Sequence, residues 1–209
     1  MTTHHKLKPL FSREHIQTKI EETAKKISGD YAGKKPVMIG ILKGSFVFLA
    51  DIIRNLNIDV TIEFVHISSY GASKTSSGTC VLQKDIETNI KDRDVIIIED
   101  IVDSGNTIDF LIKNLSLRKP ASIKICTLIN KQVRREHNIV INYYGFNVDD
   151  KFVVGYGLDH DEQFRNLSGI YELLDWAQAR NTSCQSFVFR YAQDRLSVVN
   201  SPRFANKYY

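Results

Sequence analysis

The sequence lacks several features that mark secreted, zinc-binding or membrane proteins. Its 209 residues include only three cysteines, Cys80, Cys126 and Cys184, with neither the close Cys/His spacing of a zinc site nor the density of a disulfide framework. Apolar runs such as Val95–Ile98 are much shorter than the ~20 residues of a membrane span. Residues 1–6 are polar and do not resemble a signal peptide. We therefore expect a cytoplasmic protein that does not bind a membrane.

The sequence also lacks a strong excess of one sign of charge. The formal net charge is +4, but most of it comes from residues 174–209, so residues 1–173 are nearly neutral. Nucleic-acid-binding domains usually carry a basic patch or stripe, so the overall charge predicts no nucleic-acid partner. Hydrophobic residues at 43% and charged residues at 25% are ordinary for a globular chain, and they exclude wholesale disorder, collagen and coiled coil.

Short apolar runs alternate with helical patterns along the chain. Ser12 is a candidate N-cap, and apolar residues at helical spacing from Ile16 to Ile27 predict an opening helix that ends at Gly29. Uninterrupted Val/Ile runs are typical of buried strands. The predicted strands are 37–42, 60–67, 95–98, 123–129, 139–146 and 151–155, and the further predicted helices are 46–53 and 108–115. This alternation predicts an α/β fold with an open, mainly parallel sheet flanked by helices.

The segment from Val95 to Thr107 carries the most informative chemistry. A buried strand leads directly into two adjacent carboxylates, Glu99 and Asp100, which suit sugar hydroxyls or a hydrated Mg²⁺. A turn of small residues then opens a helix, and backbone N–H groups at such a helix N-terminus bind phosphate. The turn contains Ser104, Gly105 and Thr107. Together these groups fit a ribose 5-phosphate, and the alternative is a solvated acidic turn that caps the helix.

Two familiar phosphate-binding motifs are absent from the sequence. It contains no Gly-x-x-x-x-Gly-Lys-Ser/Thr P-loop and no Gly-x-Gly-x-x-Gly dinucleotide motif. Instead, residues 95–107 resemble the phosphoribosyl diphosphate (PRPP) binding motif of type I phosphoribosyltransferases. More narrowly, residues 12–172 resemble the hypoxanthine-type 6-oxopurine phosphoribosyltransferases. Four segments carry the resemblance: Leu42-Lys43-Gly44, Ser69-Tyr70, the 95–107 segment, and Lys131 with the stretch from Lys151 to Arg165.

The resemblance implies a domain organisation. A phosphoribosyltransferase domain would cover residues 1–173, with a sheet core at about 35–150. A small hood would be built from the N-terminal segment and residues 151–173. Residues 174–209 extend past the usual end of the family and have no assigned role.

The resemblance also implies how PRPP would be held. Lys43 and Arg165 would contact the diphosphate, and a mobile loop at 68–79 would close over it. The implied PRPP-binding residues are Leu42, Lys43, Gly44, Ser69, Tyr70, Glu99, Asp100, Asp103, Ser104, Gly105, Asn106, Thr107 and Arg165. The implied cofactor is Mg²⁺, and its implied ligands are Glu99, Asp100 and Asp159. For any one basic residue, the alternative is ordinary surface charge.

A second implied set binds the purine. Asp103 would be the catalytic base that accepts the N7 proton, although a helix N-cap is the alternative role for this residue. Lys131 would donate to the exocyclic oxygen and so select 6-oxopurines over adenine. Phe152 would stack on the ring and Val153 would offer backbone groups, although both residues also suit plain sheet core. The implied purine-binding residues are Ile101, Lys131, Phe152, Val153 and Asp159.

Two functions remain open at this point. The first is a purine salvage enzyme that makes IMP, and also GMP, from the free bases. The second is a regulator that keeps the PRPP loop, senses nucleotides and binds RNA or another protein. The balanced charge and the purine-binding set favour the enzyme. Its expected partners are PRPP and a 6-oxopurine base, and the family implies a homodimer or homotetramer. The ranking of hypoxanthine, guanine and xanthine stays open.

Overall fold

The computed structural model describes residues 5–70 and 79–174. Within these residues it contains three helices, α1 (Arg13–Asp30), α2 (Phe46–Arg54) and α3 (Asn106–Ser116). The strands are β1 (Leu7–Phe11), β2 (Val37–Leu42), β3 (Thr61–Tyr70), β4 (Thr79–Lys84), β5 (Asp94–Val102), β6 (Ser122–Asn130), β7 (Tyr143–Asn147), β8 (Val153–Val154) and β9 (Ile170–Leu173). None of the helices in these two ranges is long and apolar enough to cross a bilayer.

The central sheet has six strands in the order β4-β3-β2-β5-β6-β7. All neighbouring pairs are parallel except β3 and β4, which are antiparallel. The predicted α/β fold with an open, mainly parallel sheet is therefore confirmed. The chain leaves β2 towards β3 on one side and leaves β5 towards β6 on the other. The strand order thus reverses between β2 and β5, which is where ligands bind in open α/β sheets.

The middle strands are buried on both faces, as their Val/Ile-rich sequences predict. In β5, Ile96 and Ile98 pack into one core cluster with α1 and α2, whereas Val95 and Ile97 pack into a second cluster with α3. The alternation follows from the two-residue period of a strand. The apolar stripe predicted for α1 is fully buried, and the Ser12 side chain caps the helix by accepting from the His15 N–H at 3.3 Å.

Several predicted boundaries differ from the observed ones. Ser69 and Tyr70 were expected in a loop, but their backbone belongs to β3, which pairs with β4 through Tyr70 and Thr79. The prediction failed because this end of β3 extends past its pairing with β2, which stops at His66, and pairs only with the edge strand β4, so its polar sequence lacks the apolar run of a central strand. Residues 71–78 of the predicted loop lie outside the described residues. Strand β7 begins at Tyr143 rather than at Ile139.

The structure also contains a second sheet of three strands, in the order β1-β9-β8. Of these, only β8 was predicted as a strand. Strands β8 and β9 are antiparallel. Residues 9–172 form one compact unit. The described part of the other unit is residues 5–8 and 173–174. Within it, the Leu174 N–H donates to the Lys6 carbonyl at 3.0 Å. The predicted extension at 174–209 lies, apart from Leu174, outside the described residues, so its role stays a prediction.

Candidate active site

The loop after β2 lies directly against the acidic end of β5. Its Leu42–Lys43 peptide bond is cis. Gly44, the next residue, lies so close to Asp100 that a Cβ there would overlap the carboxylate. Only glycine allows this approach of backbone to carboxylate. The Leu42-Lys43-Gly44 segment and the acidic pair are separated by more than fifty residues of chain and lie next to each other, where the order of the strands reverses.

Glu99 and Asp100 lie inside β5, whereas the sequence interpretation placed them just beyond a shorter strand. Burial raises the pKa of Glu99 well above its ordinary value, and the negative charge of Asp100 raises it further. Burial raises the pKa of Asp100 to about 6, although a hydrogen bond from the Ile101 N–H at 2.8 Å acts against this. Glu99 Oε2 is buried without a hydrogen-bond partner among the described residues. The pair is thus short of donors and positive charge, which a bound ligand can supply.

The predicted phosphate-binding turn joins β5 to α3. Gly105 is the N-cap of α3 and has a φ of 89°, a left-handed conformation that favours glycine. The Ser104 hydroxyl accepts from the Asn106 N–H at 3.4 Å. The first N–H groups of a helix have no partner within the helix, and they carry the positive end of the helix dipole. Asn106 and Thr107, which begin α3, thus lie where backbone donors can bind an anion.

A segment after β6, residues 135–139, holds this turn from one side. Arg135 and Glu136 donate to three successive carbonyl oxygens of the turn. These bonds run from Arg135 to Val102 at 3.2 Å and to Asp103 at 3.1 Å, and from the Glu136 N–H to Ser104 at 2.9 Å. The Asn106 amide donates to Glu136 at 3.1 Å. Because these carbonyls are engaged, the turn has a defined conformation before any ligand binds.

The two residues predicted to contact the reacting edge of the purine lie next to each other. Lys131 Nζ is 3.5 Å from Asp103 Oδ2, and their side chains are 8% and 39% exposed. Asp103 Oδ1 is buried without a hydrogen-bond partner among the described residues. The Lys131 N–H donates to the Val102 carbonyl at 3.0 Å, which ties the loop after β6 to the end of β5. A donor and an acceptor thus stand side by side, the ammonium on a buried side chain and the carboxylate on a partly exposed one.

The two predicted diphosphate cations converge on one carboxylate. Lys43 Nζ lies 3.1 Å from Glu162 Oε1, and Arg165 Nη2 lies 3.5 Å from Glu162 Oε2. The hydrogen bond from Lys43 lowers the pKa of Glu162. Arg165 also pairs with Asp159 at 2.8 Å and donates to the Gly157 carbonyl at 2.8 Å. Glu162 was not predicted, and in the protein alone its exposed carboxylate lies where two cations meet.

The remaining purine-binding residues lie on and around β8. Val153 is buried in β8, opposite Glu172 of β9. The Phe152 ring meets the His160 ring edge-on, with 5.3 Å between the ring centres. Ile101 is partly buried in the core cluster that also contains Val153. The side chains of Ser69 and Tyr70 lie outside the described residues.

The described residues contain no group of three His, Cys, Asp or Glu side chains that could hold a metal ion by themselves. Asp159 is paired with Arg165, and its negative charge contributes to the raised pKa of Asp100. The pair Glu99 and Asp100 offers hard oxygen ligands, one of which has no partner, and Mg²⁺ is usually held by one or two carboxylates plus substrate oxygens and water. The donor set therefore fits Mg²⁺ bound together with a substrate.

Comparison with known proteins shows which family the chain belongs to. The family model described as "Phosphoribosyl transferase domain" matches residues 10–161. The hypoxanthine-guanine phosphoribosyltransferase of Bacillus subtilis (strain 168) is 43% identical over 167 residues, which cover 80% of this chain and 93% of that protein. The chain belongs to the hypoxanthine-guanine phosphoribosyltransferase family.

Solved structures of phosphoribosyltransferases share the fold. A hypoxanthine-guanine phosphoribosyltransferase from Bacillus anthracis has a TM-score of 0.78 at 44% identity, covering 82% of this chain and all of that one. The hypoxanthine phosphoribosyl transferase of Trypanosoma cruzi has a TM-score of 0.80 at 37% identity, covering 88% and 99% of the two chains. The predicted family and the type I phosphoribosyltransferase fold are therefore confirmed.

Proposed function

We propose that the chain transfers the 5-phosphoribosyl group of PRPP to hypoxanthine, and also to guanine, and releases IMP or GMP and pyrophosphate. The reaction class follows from the family, whose relatives named above act in purine salvage as phosphoribosyltransferases. The choice of a 6-oxopurine as the acceptor rests on the Lys131–Asp103 pair. O6 and N7 lie side by side on one edge of a 6-oxopurine. Lys131 would donate to O6, and Asp103 would accept the proton from N7.

The roles of the two ends of the site follow from their charges. The N-terminus of α3 and its turn, Ser104 to Thr107, would bind the 5′-phosphate through backbone N–H groups. The partly buried Glu99 and the buried Asp100 would accept hydrogen bonds from the ribose hydroxyls. Lys43 and Arg165 would bind the diphosphate in place of Glu162, and so stabilise the charge that develops as it leaves.

We further propose Mg²⁺ as the cofactor. When bound, Mg²⁺ supplies positive charge to the departing diphosphate. The residues that would hold it are Glu99, Asp100 and Asp159, for which the lack of partners at Glu99 Oε2 is the supporting observation.

The remaining purine contacts are proposed from position. Phe152 would stack on the base, Val153 would contact the ring edge through its backbone, and Ile101 would pack on the opposite face. Asp103 would act as the general base because it is the carboxylate adjacent to Lys131. For Ser69 and Tyr70 we propose closure of the 68–79 segment over the diphosphate.

We also propose a cytoplasmic enzyme that assembles as a homodimer or homotetramer. A C-terminal region has a role in the oligomeric state and enzymatic activity of the Trypanosoma cruzi relative. Size-exclusion chromatography with light scattering measures the assembly directly, and a monomer at micromolar concentration would contradict the proposal. Nothing in the two described ranges favours the regulator that senses nucleotides.

The experiment that tests the function follows the ultraviolet spectrum of hypoxanthine with PRPP and Mg²⁺ after addition of the protein. We expect conversion to IMP with one pyrophosphate released per nucleotide, and we expect excess EDTA to stop it. Parallel rates with guanine, xanthine and adenine rank the bases. Absence of turnover with hypoxanthine and guanine would overturn the proposed function, whereas turnover that persists in EDTA would overturn only the assignment of the metal.

A further inference from the structure

Arg135 belongs to none of the sequence motifs, yet its side chain makes four hydrogen bonds around the site. Its Nε donates to the Asp103 carbonyl at 3.1 Å and its Nη2 to the Val102 carbonyl at 3.2 Å. The same Nη2 donates to Asn130 Oδ1 at 2.8 Å and to the Lys131 carbonyl at 3.0 Å. One guanidinium therefore joins the end of β5 to the end of β6.

These bonds reach the backbone of the two residues that contact the purine edge in the proposed function. The carbonyls of Asp103 and Lys131 both accept from Arg135, while the side chains of the same residues lie 3.5 Å apart. A guanidinium is planar, and its donors have a fixed geometry. Because it holds both backbones, Arg135 restricts the separation of the carboxylate and the ammonium.

The neighbouring arginine has a different environment. Arg134 pairs with Asp150 at 2.7 Å, and about half of each side chain in this pair is exposed. Arg135 is partly buried, and burial lowers its pKa. Its guanidinium therefore loses part of its hydration, and its hydrogen bonds to the site offset that loss. The two arginines thus provide a matched pair: Arg135 donates to the backbone of the site, whereas the hydrogen bond and the ion pair of Arg134 among the described residues go to Asp150.

We propose that Arg135 is a positioning residue for phosphoribosyl transfer, one that holds the Asp103 carboxylate and the Lys131 ammonium at the spacing of the purine N7 and O6. This inference rests on the proposed function of that pair. Arg135 acts through the two backbones, and its bonds described above do not reach the Asp103 carboxylate. Removal of the guanidinium would leave the two loops joined mainly by backbone bonds, from the Lys131 N–H to Val102 and from the Glu136 N–H to Ser104. The spacing of the two side chains would then be less restricted, which would affect both the proton transfer and the preference for 6-oxopurines.

The test compares Arg135→Met with the matched control Arg134→Met in the full-length protein. Methionine keeps the apolar stem of arginine and removes the donors. A displacement of about 1 Å at a catalytic group costs about 100-fold in rate. We therefore expect kcat with hypoxanthine to fall by about 100-fold in Arg135→Met and to stay within about twofold in Arg134→Met, because its ion pair is exposed.

A general loss of structure would also lower kcat, so the same substitution is also tested in a protein that already carries Asp103→Asn. In Asp103→Asn, the group that Arg135 positions is already disabled, and residues that act as a unit show non-additive effects. Adding Arg135→Met to Asp103→Asn should lower kcat by about threefold or less. The ratio of kcat/KM for hypoxanthine over adenine should also fall in Arg135→Met and stay unchanged in Arg134→Met.

The outcomes separate this inference from the proposed function. An unsubstituted protein with no turnover would overturn the proposed function itself. Normal turnover in Arg135→Met, or an equal loss of kcat in both Asp103 backgrounds, would overturn the positioning role and leave the function intact. If Arg135→Met does not fold by circular dichroism, Arg135→Lys replaces it. Lysine keeps the charge but not the planar fork, so kcat should fall by about tenfold, again only in the background that contains Asp103.

Discussion

Replacement of Asp100 by asparagine should stabilise the substrate-free protein at neutral and alkaline pH. Burial raises the pKa of Asp100 from its ordinary 3.8 to about 6. At 1.36 kcal/mol for each pH unit, ionisation of this side chain lowers the free energy of unfolding by about 3 kcal/mol. Loss of the Asp100 charge also relieves its repulsion of Glu99, which acts in the same direction. Because Asp100 belongs to the proposed PRPP site, the stabilised variant should lose turnover.

The pH dependence follows from the protonation of Asp100 in the two states. Below pH 3.8 the carboxyl is protonated in the folded and the unfolded chain, so the stabilisation by the protonated form is fully present. As the pH rises through about 6, the folded chain must ionise a buried group and this stabilisation is lost. The gain in unfolding free energy of Asp100→Asn over the unsubstituted protein should therefore increase by about 2 kcal/mol between pH 4 and pH 8.

Urea denaturation followed by circular dichroism at both pH values, in EDTA, measures this gain. The asparagine amide has its own cost of burial, but that cost does not vary with pH. Asp94→Asn, in the same strand, is the matched control. The Ser122 hydroxyl lowers the pKa of Asp94, so this substitution should destabilise the protein, and more at pH 8 than at pH 4. A gain for Asp100→Asn that is equal at both pH values would refute the reasoning.

Three further substitutions test the site. Gly44→Ala places a Cβ on the Asp100 carboxylate, so kcat/KM for PRPP should fall by about 100-fold, and an unchanged value would show that the loop can move aside. Asp103→Asn should lower kcat by about 10²–10⁴-fold while calorimetry still detects PRPP binding, and full activity would remove Asp103 as the base. Lys131→Met should lower the discrimination of hypoxanthine against adenine by about 10–100-fold in a competition assay, and an unaltered ratio would contradict its contact with O6.

The central sheet was predictable because its strands are buried on both faces. Residues 37–42 form β2 with the predicted bounds, since five of its six residues are buried. The edge strand β4 was not predictable in the same way. Its sequence has only three consecutive apolar residues, Cys80 to Leu82, of which Val81 is exposed and Leu82 packs against the core, and a polar stretch precedes it. An edge strand is stabilised by pairing to β3, which the local sequence does not encode.

The positions of the acidic pair and of the turn from Ser104 to Thr107 were predictable because local sequence determines a strand followed by a helix N-terminus. Glu162 and Arg135 were not. Arg134 and Arg135 are adjacent arginines with no local feature to distinguish them, and the path of the chain after β6 decides which one faces the site. Glu162 is close in space to Lys43 but more than a hundred residues away in sequence, so only the tertiary fold brings them together.

Two glycines, Gly44 and Gly157, fix the distance between two loops of the site. A Cβ at Gly157 would overlap the carbonyl oxygen of Gly44, so main chain packs directly against main chain where the loops that carry Arg165 and Lys43 meet. Where two side chains form such a contact, one of them can change rotamer to make room for a substitution. Backbone atoms have no rotamer to change, so a side chain at Gly157 would force the two loops apart. Saturation mutagenesis should accept almost no replacement at either glycine and many at an exposed position such as Val133. Substitutions elsewhere can thus change the side chains that line the site while the distance between these two loops stays fixed.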